Sequence, residues 1–178
     1  RLRDRRPDRA IGLAWSTAGA WLLVNLPFAI AAPGAWWTFF RFNSERAADF
    51  DSLWYIGCRH IDVGAICGQT SRINVASFAL FAVSFALVWL WKERREPHFA
   101  RWSLAFPLLV LFLLSNKVYS PQYGLWLLPF FALGGSDLKT FVAFEIADVA
   151  VFVTRFSFFG DLSGYGGLPF GAFEIAIA

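Results

Sequence analysis

Long uncharged apolar stretches recur along this chain, separated by short polar segments. A helix rises 1.5 Å per residue, so about 20 apolar residues cross a hydrocarbon core of about 30 Å. Residues 10–30 and 73–91 are uncharged and meet that length. Residues 102–116 are shorter, and His98 to Arg101 extend them at the interface. Residues 118–136 are uncharged but interrupted by Pro121 and Pro129. A fifth stretch, 140–159, carries Glu145, Asp148 and Arg155, and a sixth apolar run starts at 168. The pattern predicts an all-α integral membrane protein, a polytopic helix bundle of about 5–6 spans. Their expected bounds are 10–30, 73–91, 99–115, 122–134, 140–159 and 168–178 onward, with a long loop over 31–72.

Composition strengthens this reading. Apolar residues make up 57% of the 178 positions and charged ones 16%, against roughly 45–50% and about 25% in ordinary globular proteins. The length suggests one domain. No methionine occurs, position 1 included, and the chain stops within an apolar run. The expectation is therefore a piece of a longer membrane protein.

Charge placement then orients the spans. RLRDRRPDR (1–9) and KERREPHFAR (92–101) together hold nine Lys/Arg, whereas residues 31–72 hold four, balanced by Glu45, Asp49, Asp51 and Asp62. The positive-inside rule places the two basic segments in the cytoplasm and the long loop outside. Alternation puts the turn around SNKVYSPQY outside as well, so the expected working face is extracytoplasmic and the location the plasma membrane.

Four features could carry chemistry. In SNKVYSPQYGLWLLPFF (115–131), Asn116, Lys117, Tyr119, Gln122 and Tyr123 sit between apolar runs. A polar turn at membrane depth needs protein or a watery cavity around it. Two amides and two aromatics around one cation suit a sugar phosphate, with Lys117 facing the phosphate; the bland alternative is an outer hairpin whose lysine snorkels. The loop APGAWWTFFRFNSERAADFDSLWYIGCRH (32–60) begins as an interfacial aromatic helix. If that helix continues, Arg46 and Asp49 share a face and could join the site, whereas Asp49 and Asp51 diverge by about 200° and could not act together.

The intramembrane charges form the third feature. Buried ionisable groups face partners inside a bundle. Asp148 and Arg155 lie about 10 Å apart along a helix axis, so each is expected to meet another helix, with Arg155 available as a second phosphate contact. Fourth, Cys58 and Cys67 are nine apart in a loop expected outside, where a disulfide is permitted. No metal site, cofactor or nucleic-acid partner is expected, since His60 stands without the ligand spacing that zinc uses.

The stretches NLPFAIAAPGAWWTFFRFNSERAADFDSLWY, SNKVYSPQYGLWLLPFFAL and FEIADVAVFVTRF together resemble actinobacterial members of glycosyltransferase family 87. The resemblance covers most of the chain from about residue 10. It implies a GT-C-type membrane fold and transfer of a hexosyl group, such as mannose, from a polyprenyl-phosphate sugar. The acceptor would be a glycolipid or glycan hydroxyl on the outer face, and Asn116, Lys117, Tyr119, Gln122, Tyr123, Arg46 and Arg155 would bind the donor. The catalytic carboxylate of such enzymes lies in a first outer loop, expected upstream of residue 1, with Asp49 and Asp51 as fallback candidates. A lipid or solute transporter, or a non-catalytic membrane scaffold, are the rival readings.

Overall fold

The computed structural model describes residues 7–61, 64–134 and 137–177. The basic segment 1–9 and Asp62, which entered the charge argument, fall largely outside that range. Every regular element among the described residues is helical. The chain divides into two compact units, Arg1–Arg46 and Ala47–Ala178.

The first unit is a helical hairpin. Helix α1 (Pro7–Ala31) tolerates an internal proline, Pro27, and joins α2 (Pro33–Glu45) through Ala32 alone. Pro33 suits the first turn of α2, where its missing N–H leaves no bond unmade. The Trp36 indole N–H donates to Asn25 Oδ1 at 3.2 Å, and Trp36 packs on Phe40 at 4.7 Å between ring centroids. Leu13, Trp15 and Leu23 on α1, and Trp37, Phe39 and Phe42 on α2, are exposed. The α2 helix stops at Glu45, and Arg46 turns out of it.

In the second unit, α3 (Leu53–His60) begins where the Ser52 hydroxyl accepts from the Tyr55 N–H at 3.1 Å, a side-chain cap. A short α4 (Gly64–Cys67) is tied to α3 by the Cys58–Cys67 disulfide. The 26-residue α5 (Thr70–Arg95) ends in Lys92, Arg94 and Arg95, which favour the negative end of the helix dipole. It packs against α6 (Ala105–Ser115), which is preceded by a 3₁₀ turn at Arg101–Leu104. A 3₁₀ segment (Pro121–Trp126) and α7 (Leu128–Gly134) follow. Asp137 then caps α8 (Leu138–Leu162), its carboxylate accepting from the Thr140 N–H at 2.9 Å. The last helix is α9 (Phe170–Ile177).

Two of these helices are long and apolar enough to cross a membrane, Ile11–Ala31 of α1 and Thr70–Arg95 of α5. The expected stretch 122–134 is no spanning helix. Pro121 starts a tight 3₁₀ turn, and the seven residues of α7 rise only about 10 Å. The sixth expected span is the eight-residue α9. Helix α8 has the length, but its charges keep it from matching the apolar pattern.

The core of the second unit is aromatic. Phe158 of α8 stacks on Phe173 of α9 at 4.4 Å, and Phe50 meets Phe158, Phe173 and Tyr55 edge-on. Gly167 permits this closure of α9 on α8: a Cβ there would lie 2.9 Å from the Ser157 carbonyl carbon and 3.2 Å from the Asp161 nitrogen. Both are backbone atoms of α8 and cannot rotate away. Gly167→Ala is therefore expected to destabilise the solubilised protein by about 1–3 kcal/mol, the usual range for overpacking. A thermal melt indistinguishable from wild type would show that α9 is not held this closely.

Candidate functional site

Three stretches far apart in the chain meet in the second unit. Asp49 to Ser52 form a turn, closed by the Ser52 N–H donating to the Asp49 carbonyl at 2.9 Å. The Asp49 N–H donates to the Lys117 carbonyl at 2.8 Å, and the Trp54 indole N–H to the Ser115 carbonyl at 2.7 Å. From α8, Arg155 reaches into the same place. Its Nη2 donates to both oxygens of Asp49 at 3.0 and 2.9 Å, and its Nη1 to Asp51 Oδ2 and, at 3.2 Å, to the Tyr119 carbonyl. The guanidinium also lies 5.3 Å from the Phe159 ring centroid.

These side chains are 9% exposed for Arg155, 9% for Asp49 and 4% for Asp51. At such depth a guanidinium needs acceptors close by, and here two carboxylates and a carbonyl accept from both terminal nitrogens. Two expectations change. Asp49 and Asp51 do act together, because they occupy a turn and the helical angle of 200° does not apply. Arg155, the expected second phosphate contact, directs both terminal nitrogens to protein acceptors. Arg46 is the C-cap of α2, so it shares no helical face with Asp49.

Burial pushes the Asp51 carboxyl up, with Arg155 opposing, and it pushes the Tyr119 hydroxyl up, aided by Asp148 and then Asp51. Asp51 Oδ1 has no hydrogen-bond partner among the described residues. Asp148, expected to find a partner on another helix, lies against Gly124 of the 3₁₀ segment, its Oδ1 buried and without a hydrogen bond among the described residues.

The polar turn does not line a single cavity. Asn116 and Lys117 face one of about 320 Å³ between α5 and α6, with Asn74, Ser77, Phe78, Phe81 and Phe112. Lys117 is 6% exposed, which removes it from the headgroup surface that a snorkelling lysine would need. The Ser77 hydroxyl there is buried with no hydrogen bond among the described residues. Tyr119 faces a different cavity, beside Asp51. Tyr123 packs on Trp126 at 4.6 Å and meets Tyr119 edge-on at 6.1 Å, and Gln122 is exposed.

Asn74 and Ser77 escaped the sequence reading because they sit in an apolar run. Their spacing of three on one helix face was the available signal. Glu174 escaped it too; it accepts from Arg59 at 2.8 Å and so ties α9 to α3. No group of His, Cys, Asp and Glu among the described residues could hold a metal ion. Compared with known families, curated proteins and solved structures, the chain matches none.

Proposed function

We propose that this chain works as a membrane glycosyltransferase, moving a hexosyl group such as mannose from a polyprenyl-phosphate sugar to a glycolipid or glycan hydroxyl on the outer face. The observation that carries this reading is the cavity between α5 and α6. It is lined by a buried cation, Lys117, two amides, Asn74 and Asn116, the Ser77 hydroxyl, which has no hydrogen bond among the described residues, and three phenyl rings. A sugar phosphate needs that set: a cation for the phosphate, amides and hydroxyls for ring hydroxyls, and apolar faces for the C–H surface of the sugar.

In this reading the anomeric carbon leaves the phosphate oxygen as the acceptor oxygen attacks, and the acceptor's proton passes to the departing phosphate. Lys117 stabilises the charge that grows on the departing phosphate. Asn116, Asn74 and Ser77 orient the sugar. Asp49 has both oxygens on Arg155, and Asp51 opens on another cavity, so neither is given the role of base. Helices α1, α5, α6 and α8 cross the bilayer, α6 with its 3₁₀ extension, and the 3₁₀ segment with α7 carries the chain back between the end of α6 and the start of α8, Phe131 of α7 lying against Phe106 and Phe144. The exposed rings of α2 rest in the interface.

Two experiments test this. Asn74→Cys should react with a small maleimide in the purified protein, and polyprenyl-phosphate mannose should slow that reaction severalfold; unchanged labelling would remove the donor from this cavity. For orientation, a membrane-impermeant thiol reagent applied to intact cells should reach Ser44→Cys and miss Arg94→Cys. The opposite pattern would reverse the sidedness and with it the face on which transfer occurs.

A further inference from the structure

An exposed stripe runs along α5 and ends in two arginines. Val83, Leu87 and Trp91 are between 57% and 61% exposed, and Arg94 and Arg95 beyond them are exposed as well. Steps of four, and then of three or four, keep all five residues on one helix face. From Val83 to Arg95 the helix rises about 18 Å. An apolar surface, an indole and a pair of guanidinium groups therefore follow one another along a helix long and apolar enough to cross a membrane. A phospholipid has the same order of acyl chain, ester region and phosphate, and indoles favour that middle level.

The charge at that end is uneven. Residues 92–101 hold four basic side chains, Lys92, Arg94, Arg95 and Arg101, against Glu93 and Glu96, a net charge of +2 with His98 neutral. Both carboxylates are engaged away from the arginines. Glu96 accepts from Lys92 at 3.0 Å, and Glu93 accepts from the Trp89 indole N–H at 3.0 Å. The Phe99 ring lies 6.1 Å from that of Trp89, with the Lys92 ammonium 5.5 Å from its centroid. This contact folds the connection back on α5, so Arg101, which opens the 3₁₀ turn before α6, returns to the end of α5. Arg94, Arg95 and Arg101 are exposed, without a hydrogen bond or ion pair among the described residues. Trp102, also exposed, stands next to Arg101.

We propose that this end of the α5–α6 pair binds an anionic phospholipid, with its phosphate on Arg94, Arg95 and Arg101 and an acyl chain along Val83 and Leu87. Guanidinium groups suit phosphate because their paired N–H donors match its oxygens. A zwitterionic headgroup would bring its own ammonium toward three guanidinium groups, whereas a headgroup of net negative charge would not. The site therefore selects by headgroup charge. A soluble anion would meet the arginines but gain nothing from the apolar stripe. The proposal rests on α5 crossing the bilayer and is independent of sugar transfer.

The test uses the full chain in phosphatidylcholine nanodiscs, without any sugar donor. Trace phosphatidylglycerol or phosphatidylcholine, each with a diazirine on an acyl chain, is photolysed and the labelled peptides are read by mass spectrometry. Both probes should label residues 83–91, the anionic one roughly tenfold more, the scale expected of several basic residues at an anionic surface. A ratio near one would overturn the proposal. Absence of label from both probes would take α5 out of the bilayer and overturn it too. Arg94→Gln, Arg95→Gln and Arg101→Gln together should bring the ratio near one, and an unchanged ratio would place the selectivity elsewhere. The matching triple lysine variant keeps the charges and should keep most of the ratio. Loss as complete as with glutamine would mean that the arginines serve the fold and bind no headgroup. Inorganic phosphate should lower the ratio no more than sodium chloride of equal ionic strength; stronger displacement would make this a site for a soluble anion, and the lipid assignment would fall. No transfer is measured, so a ratio near one leaves the glycosyltransferase reading intact, and failure of sugar transfer leaves this site intact.

Discussion

Lys117→Gln is expected to lower sugar transfer roughly 100- to 1000-fold, the loss seen when a preorganised partner of a developing negative charge is removed. The buried position of Lys117 is the reason. At 6% exposure, its ammonium acts in a setting where water screens little, and Asn116, Asn74 and Ser77 surround the same cavity. A lysine that met only lipid headgroups would contribute about 1 kcal/mol, too little for an effect of this size. Lys117→Arg should also be impaired, since a planar fork does not replace a compact ammonium in a fitted pocket. The measurement is mannosyl transfer from a polyprenyl-phosphate donor by the purified full-length protein, with donor binding followed in parallel. Normal turnover in a well-folded Lys117→Gln protein would return the residue to a structural role.

The second large effect concerns stability. Arg155→Gln leaves Asp49 and Asp51 buried beside each other without their guanidinium, and breaking a buried pair in this way is worth about 3–5 kcal/mol. A drop in thermal stability, or loss of folded protein on expression, is the expected result. The companion variant is more informative. Arg155→Met combined with Asp49→Asn and Asp51→Asn removes the charges together, and most of the lost stability should return, because no ion is left stranded. If the single variant melts like wild type, the junction of the turn, the 115–119 segment and α8 is held by something else. If the triple variant is no better than Arg155→Gln, unpaired charge is not the cause of the loss.

Much of the helical content was legible in the chain. Helices α1 and α5 follow from uncharged runs alone, and the Cys58–Cys67 pairing was compatible with its spacing of nine. In the polar stretch 115–123, Asn116 and Lys117 form part of the wall of one cavity and Tyr119 part of another. What local pattern could not reveal was how that wall is held. Arg155 meets its carboxylates across 104 and 106 residues, a separation no periodicity encodes. The treatment of Asp49 and Asp51 as helical failed for a related reason, since the chain leaves α2 at Glu45 and turns. The stretch 122–134 misled through apolarity alone, where Pro121 and Pro129 decided the geometry.

The turn at Asp49–Ser52 has a consequence for how this segment can diverge among variants of the chain. One four-residue turn sends two carboxylates to one guanidinium and the intervening phenyl ring into the aromatic core. Replacing Phe50 by another ring, or Asp by Glu with slight readjustment, keeps that division of directions. Adding or deleting a single residue does not, because the closing hydrogen bond and both ion pairs are set by the count of residues between them. Length, more than identity, is the conserved quantity this segment should display, and insertions should collect instead between α2 and the turn, at 46–48.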